Sequence, residues 1–310
     1  MTGERPEGPV KVWIAARTPD RYRAMLPPEA EVHELPSAEG QGPVGPAEFV
    51  VADFGFLDIL PRLQGVRVIQ TMSAGVDHLI GKIPAGAILC DAAGVHDASV
   101  ADWTVMVILA VHRAFPELVA AQLEGAWRRP EFRAARDLDG LSVLIIGYGS
   151  IGKAVERRLA PFGVTVTRVA RVAREGVHGR DELMSLLPQA DVVVVLLPLT
   201  PETQGLVDAR FLAQMKQGAL LVNPARGRLV DTMALTRALE EHRIRAALDV
   251  TDPEPLPEGH PLWKADGVLI TPHIAGSVGG VYDRAWRLVA DQVRRYIAGE
   301  PLRNVVTDGY

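Results

Sequence analysis

An apolar run of strand character, Leu141-Ser142-Val143-Leu144-Ile145-Ile146, leads straight into Gly147-Tyr148-Gly149-Ser150-Ile151-Gly152, and an amphipathic stretch from Lys153 to Ala160 follows. No other segment restricts the fold as much. A strand that turns through G-x-G-x-x-G into a helix opens a parallel βαβ unit and builds a phosphate cradle. Gly147 permits the tight turn, Gly149 lets backbone approach a diphosphate, and Gly152 lets the helix lie close on the strand. The N–H groups at the helix start, those of Ser150 and Ile151 among them, favour anionic charge. The pattern predicts dinucleotide binding. A plain strand-to-helix connection is the competing reading of the glycines taken alone.

The next strand is expected at Val164 to Val169, and an acidic residue at its end, about 20 positions past the turn, would hold the ribose hydroxyls. None stands there. The stretch Arg157 to Arg174 contains no Asp or Glu, and Arg168, Arg171 and Arg174 surround Ala170 at the expected position. A carboxylate would repel a ribose 2′-phosphate, whereas a guanidinium pairs with it through two parallel hydrogen bonds. NADP(H) is therefore the expected cofactor, with NAD(H) possible. Against this stands a solvated basic face of ordinary kind.

A chain of 310 residues is long for one core and suggests two domains. With 48% hydrophobic and 23% charged residues the composition is that of a globular protein, and a net charge of −5 disfavours nucleic acid. The longest apolar stretch, Val105 to Val111, falls far short of a membrane span, and Met1 to Pro9 does not read as a signal peptide, so a cytoplasmic location without membrane contact is expected. The lone Cys90 lies in the apolar run Ala87 to Cys90 and reads as a buried structural thiol. No metal site is expected.

Ahead of the glycine turn, strands are expected at Val10 to Ala15, Phe49 to Ala52, Val66 to Gln70 and Ala87 to Cys90, with Leu35 to Pro46 an exposed loop. A long helix should run from Ser99, placed to cap it, to Glu124, with Pro116 kinking or dividing it. Behind the turn, strands at Asp191 to Leu196, Ala219 to Val222, Arg245 to Leu248 and Val268 to Ile270 alternate with helices at Asp181 to Leu187, Asp208 to Met215 and Asp231 to His242. A last helix is expected at about Val278 to Ala298. Such alternation predicts an α/β fold with a doubly wound parallel sheet, whose ligands bind beyond the carboxyl ends of the strands.

The segments at those ends are unusual: Leu197-Pro198-Leu199-Thr200-Pro201-Glu202-Thr203, Asn223-Pro224-Ala225-Arg226-Gly227, Asp249-Val250-Thr251-Asp252-Pro253-Glu254, and Thr271-Pro272-His273-Ile274-Ala275-Gly276. In this order behind the glycine turn, with Ser73-Ala74-Gly75-Val76-Asp77-His78 and Val100-Ala101-Asp102-Trp103-Thr104 upstream, they resemble the D-isomer-specific 2-hydroxyacid dehydrogenase family, in its glyoxylate/hydroxypyruvate reductase-like branch. The resemblance implies two doubly wound parallel-sheet domains. A Rossmann-type cofactor domain, 101–275, would be inserted into a flavodoxin-like substrate domain, 1–100 and 276–310. It also implies a homodimer joined around the long helix.

Reducing a 2-keto acid needs a cation for its carboxylate, a proton donor for the oxygen that becomes an alkoxide, and a nicotinamide against the carbonyl carbon. Arg226 offers the planar guanidinium, His273 the proton, and Glu254 a hydrogen bond that orients the imidazole. The family assigns its equivalent residues these roles. The resemblance further implies that backbone N–H groups of Ser73, Ala74, Gly75 and Val76 receive the substrate carboxylate. It places Asp249 on the nicotinamide carboxamide, Thr104 on the cofactor phosphates, and Leu197, Pro198 and Thr203 on the adenosine side, with Ala225 and Gly276 also lining the cofactor. His260 reads as structural. Phe54, Met72 and Trp286 are the candidate specificity residues. The expected reaction is NADPH-dependent reduction of a small 2-keto acid to the D-2-hydroxy acid. A bulkier keto acid, phosphite, or a non-enzymatic nucleotide-sensing role are the alternatives.

Overall fold

A computed structural model describes residues 8–37, 42–53, 56–129 and 135–307. Two compact units emerge, Met1–His96 with Gly279–Tyr310, and Asp97–Val278. These joints lie a few residues from 100/101 and 275/276, because the long helix begins at Asp97 and the strand-end segment carrying His273 stays with the second unit through Val278.

The first unit contains β1 (Val10–Ala15), α1 (Asp20–Arg23), β2 (Ala30–Leu35), β3 (Phe49–Ala52), α2 (Phe56–Ile59), β4 (Val68–Thr71) and β5 (Ile88–Cys90), and it takes back the last helix, α9 (Val281–Ala298). Its five strands are parallel in the order β2-β1-β3-β4-β5, the flavodoxin-like winding. Alternate residues of β3 serve opposite faces: Phe49 and Val51 meet Trp286, Val289 and Val293 of α9, while Val50 and Ala52 meet Phe56, Leu60 and Leu79. Trp286 is 4% exposed and stacks on Tyr22 at 5.7 Å, so it belongs to this core and not to a specificity pocket. Met72 is half-buried against the same core, and Phe54 lies outside the described residues. Cys90 is buried, and burial pushes its thiol up to about 12, which suits an inert core position.

Strand β2 was not expected. Its sequence, Ala-Glu-Val-His-Glu-Leu, carries three charged or imidazole side chains, because an edge strand pairs on one side only and keeps its other flank in water.

The second unit contains α3 (Asp97–His112), α4 (Phe115–Leu123), β6 (Ser142–Ile146), α5 (Ser150–Leu159), β7 (Thr165–Val169), α6 (Leu183–Leu186), β8 (Val192–Val195), α7 (Ala209–Gln214), β9 (Leu220–Asn223), α8 (Thr232–Glu240), β10 (Arg245–Leu248) and β11 (Val268–Ile270). Its parallel order is β11-β10-β9-β8-β6-β7, and a single parallel bridge from Val169 to His178 adds a vestigial strand outside β7. With that bridge the winding is the dinucleotide-binding order 3-2-1-4-5-6. Val193, Val195 and Leu221 face one apolar layer, and Val192, Val194 and Val222 the other, which explains why these strands read as unbroken apolar runs.

The expected single helix from Ser99 to Glu124 is two helices. Ala114 is left-handed at φ 51°, and the helices bend by 71° there. Pro116 sits in the first turn of α4, where no N–H is required of it. Ser99 is not the cap; it is buried inside the first turn of α3. Among the described residues no single helix is long and apolar enough to cross a membrane.

At the break, His112 is 1% exposed, with Nδ1 2.9 Å from the Ile108 carbonyl and Nε2 3.4 Å from the Arg245 guanidinium. Burial, and then the charge of Arg245, lowers its pKa. The folded state thus binds fewer protons at this site than the unfolded chain, and its contribution is complete above the ordinary histidine range and lost as pH falls below about 6.5. The difference in Tm between the protein and His112→Gln should therefore shrink by a few degrees as pH is lowered from 8 to 5; a constant difference in pH-resolved thermal melts would refute this.

Candidate active site

The glycine turn occupies the switch point of the second sheet, where β6 parts from β8. Gly147 has φ +96°, and a Cβ on it would lie 2.5 Å from the Leu196 carbonyl oxygen, so two chain segments cross there with no room for a side chain. Gly147 and Tyr148 both donate to the Val169 carbonyl at 2.9 Å, fixing the turn to the end of β7. A Cβ on Gly152 would stand 3.0 Å from the Gly147 oxygen, which is the close helix-on-strand contact expected of it. A Cβ on Gly149 would meet nothing within 4 Å, and α5 begins behind it with no side-chain cap. An open approach to uncapped N–H groups is what a diphosphate requires, so the residues present fit a dinucleotide. The Ser150 hydroxyl donates to Asp97, which leaves its backbone N–H as the group it can offer.

The arginines beyond β7 divide. Arg168 lies within the strand, and its guanidinium grips the Glu156 carboxylate in a bidentate pair, with Nε 2.9–3.0 Å from both oxygens. It is therefore engaged within the protein, a partner that the expectation from sequence did not include. Arg171 and Arg174 are exposed on the arch that follows. Arg174 donates to the Tyr148 carbonyl at 2.8 Å, and the charge of Arg171 lies near enough to Glu202 to lower that carboxyl, behind the Thr200 hydrogen bond that dominates.

The loops after β9, β10 and β11 lie side by side, since Asn223 pairs with Leu248 and Leu248 with Ile270 in the ladder. Asn223 is fully buried. It accepts from the Ala225 N–H at 3.0 Å and donates to the Arg226 carbonyl at 2.9 Å, caging the loop that presents Arg226. A Cβ on Gly227 would fall 1.9 Å from the Thr251 oxygen, so this loop is pressed against the one carrying Glu254. Glu254 reaches His273 at 2.6 Å, Oε1 to Nδ1, with both side chains nearly half exposed. The pair expected from sequence is formed through Nδ1.

His273 is left-handed, at φ 55°. Its backbone N–H donates to the Asp249 carbonyl at 2.7 Å, and the Asp249 carboxylate accepts from Thr271 Oγ1 at 2.6 Å, Ile274 N at 2.8 Å and Ala275 N at 2.8 Å. At 1% exposure, with these donors from its own neighbourhood, Asp249 clamps the histidine turn. Trp103 Nε1 donates to Thr271 Oγ1 at 3.0 Å and extends the clamp into α3. Trp103 belongs to a segment noticed in the sequence, yet the residue singled out there was Thr104. That residue is fully buried, its hydroxyl on the Val100 carbonyl at 2.7 Å one turn back.

Thr203 Oγ1 donates to the Pro198 carbonyl at 2.7 Å and accepts from Thr200 N at 2.8 Å, stapling the loop after β8, while Leu197 packs partly into the core. Gly276 is half-buried directly behind the clamped Ala275. His260 accepts from Leu262 N at 3.2 Å and caps a helical turn, a structural role as expected. In the first unit, the Ser73 carbonyl receives Thr71 Oγ1 at 2.6 Å and Ala92 N at 3.0 Å, and Val76 is fully buried, which anchors the Ser73–Val76 turn to the end of β4.

Gly227→Ala must push the Thr251 peptide away from its place, and the overpacking should cost about 1–3 kcal/mol, read as a lowered denaturation midpoint. An unchanged midpoint would show that the two loops are not pressed together as described.

Residues 105–275 match the family model for the D-isomer specific 2-hydroxyacid dehydrogenase NAD binding domain. The chain is 33% identical to glyoxylate reductase/hydroxypyruvate reductase of Homo sapiens, over 96% of this chain and 98% of that protein. It is 34% identical to D-3-phosphoglycerate dehydrogenase of Methanocaldococcus jannaschii over 80% of its length, and there it spans 49% of the longer relative. The crystal structure of an NADPH-dependent glyoxylate/hydroxypyruvate reductase from Sinorhizobium meliloti, in complex with NADP and sulfate, superposes with a TM-score of 0.84 at 25% identity, covering 96% of this chain and 98% of that one. The chain therefore belongs to the D-isomer specific 2-hydroxyacid dehydrogenase family of NAD(P)-dependent oxidoreductases.

Proposed function

We propose that this protein reduces a small 2-keto acid of the glyoxylate/hydroxypyruvate type to the D-2-hydroxy acid, with NADPH as the preferred reductant. The observation that carries the reading is the His273–Glu254 pair at 2.6 Å, held beside the caged Arg226 loop on the same sheet edge as an uncapped dinucleotide cradle. Arg171 and Arg174 on the arch, with no carboxylate ending β7, favour a 2′-phosphate over a free ribose hydroxyl. The relatives from Homo sapiens and Sinorhizobium meliloti bear names of this activity, whereas the match to the 3-phosphoglycerate dehydrogenase spans only 49% of that protein.

When bound, the nicotinamide supplies the hydride for the keto carbon. Arg226 holds the substrate by its carboxylate and carbonyl oxygens, a planar two-donor grip that lysine cannot copy. The Ser73–Val76 turn is assigned the carboxylate through its backbone N–H groups. His273 delivers a proton from Nε2 to the developing alkoxide, and Glu254 on Nδ1 keeps that nitrogen aimed at it. His273→Ala should lower kcat by about 10²–10⁴-fold while the Kd for NADPH stays within twofold. Following NADPH and NADH oxidation with glyoxylate, hydroxypyruvate and phosphohydroxypyruvate tests the whole reading. Better turnover with NADH, or with the phosphorylated keto acid, would overturn it.

A homodimer through α3 and α4 belongs to the same proposal. Met106 is 51% exposed, Phe115 57% and Leu123 83%, an apolar face of the kind a second copy covers. Met106→Glu combined with Phe115→Glu should convert a dimer to monomer in sedimentation velocity, and a monomeric native protein would refute it.

A further inference from the structure

The Arg168–Glu156 pair is part of a larger cluster that the reaction leaves unexplained. Tyr148, the second residue of the glycine turn, donates its hydroxyl to Glu156. Its ring carries two guanidinium groups, Arg168 at 5.6 Å and Arg174 at 6.0 Å from the centroid. Arg168 also donates to the Gly176 carbonyl at 3.3 Å, and Arg174 to the Tyr148 carbonyl at 2.8 Å. The arch between β7 and the vestigial strand is thus tied at both ends. Arg168 fastens its far limb, Tyr148 seats Arg174, and Glu156 holds Arg168 in place.

We infer that Tyr148, Glu156 and Arg168 are positioning residues for cofactor choice, fixing the arch so that Arg174 stands where a ribose 2′-phosphate is read. The inference rests on the NADPH reading above and names the device behind it. Its logic is one of charge. A free Arg168 would add a second flexible cation within the strand, whereas Glu156 neutralises it and leaves its planar group as a rigid strut. A guanidinium already ordered against an aromatic face and a carbonyl loses less freedom when it binds phosphate, so more of the contact energy appears as affinity. The arrangement is electrostatically settled: Arg168 holds the Glu156 carboxyl below the usual carboxylate range, and burial, then Glu156, raises the Tyr148 hydroxyl.

Dissociation constants for NADPH and NADH, measured by isothermal calorimetry on the full chain, decide the matter for the native protein, Glu156→Gln, Arg168→Met and the double variant. Each single change should weaken NADPH about tenfold, equivalent to about 1.4 kcal/mol, and move NADH less than twofold. The double variant should be no worse than either single, because both remove one strut. If Arg168 touched the phosphate itself, Glu156→Gln would leave NADPH binding unchanged or tighter, and that result overturns the inference. So does an equal loss for both cofactors, the signature of a merely structural role. Should a charge removal prevent folding, Tyr148→Phe removes only the hydroxyl bond and must still shift the NADPH to NADH ratio in the same direction, or the inference fails. A native protein that binds NADPH no tighter than NADH would overturn the cofactor reading and this inference together, and it is recognised before any variant is made.

Discussion

The buried carboxylate of Asp249 is the interaction on which the geometry of the His273 turn depends. A left-handed histidine is costly unless its surroundings hold it, and here a single anion collects the Thr271 hydroxyl and two N–H groups that follow His273. Hydrogen bonds to a charged acceptor contribute about 1.5–3 kcal/mol each, enough together to offset both the desolvation of the carboxylate and the strain of the turn. The imidazole is therefore aimed by the strand end beneath it, and Glu254 needs only to fix its rotation and tautomer. The Trp103 indole ties the same clamp to α3, so a helix remote in sequence helps to hold the His273 turn.

The same economy governs the loops around it. Chain segments cross at Gly147 and at Gly227 without space for a methyl group, and each crossing joins two strand-end loops. In a parallel sheet all loops that bear ligands leave from one edge, and their mutual spacing must be set by something other than ladder hydrogen bonds. Backbone packed on backbone does this without side-chain freedom. It explains why a site assembled from residues at 226, 254 and 273 can hold a 2.6 Å contact.

How much of this could be read from sequence follows from which physical signal each feature carries. Buried parallel strands write themselves as apolar runs, so β1, β3, β10 and β11 coincide with the expected ranges. The edge strand β2 pairs on one side and has no need of an apolar signature; it was invisible for that reason. Pro116 announced a break but not its place, since proline is tolerated in a first turn and the chain bends at Ala114 instead. At the site, the contact of Glu254 with His273 was legible because the two residue types are complementary, whereas the internal partners of Thr104 and Arg168 were not, because a hydroxyl or guanidinium gives no hint of one. Glu156 stands 12 positions before Arg168, on another element, and no local pattern joins them.

That failure has a physical lesson for cofactor choice. A count of cations near a strand end measures potential, but recognition of a 2′-phosphate depends on which cations remain uncommitted after the fold has taken its share. Here Arg168 is neutralised by Glu156, and Arg174 rests on the Tyr148 ring and donates to its carbonyl. Net charge at the arch is thereby lowered while its order is raised. Since binding affinity rewards pre-arrangement as much as charge, guanidinium groups that are held in place lose less freedom on meeting an anion than mobile ones do.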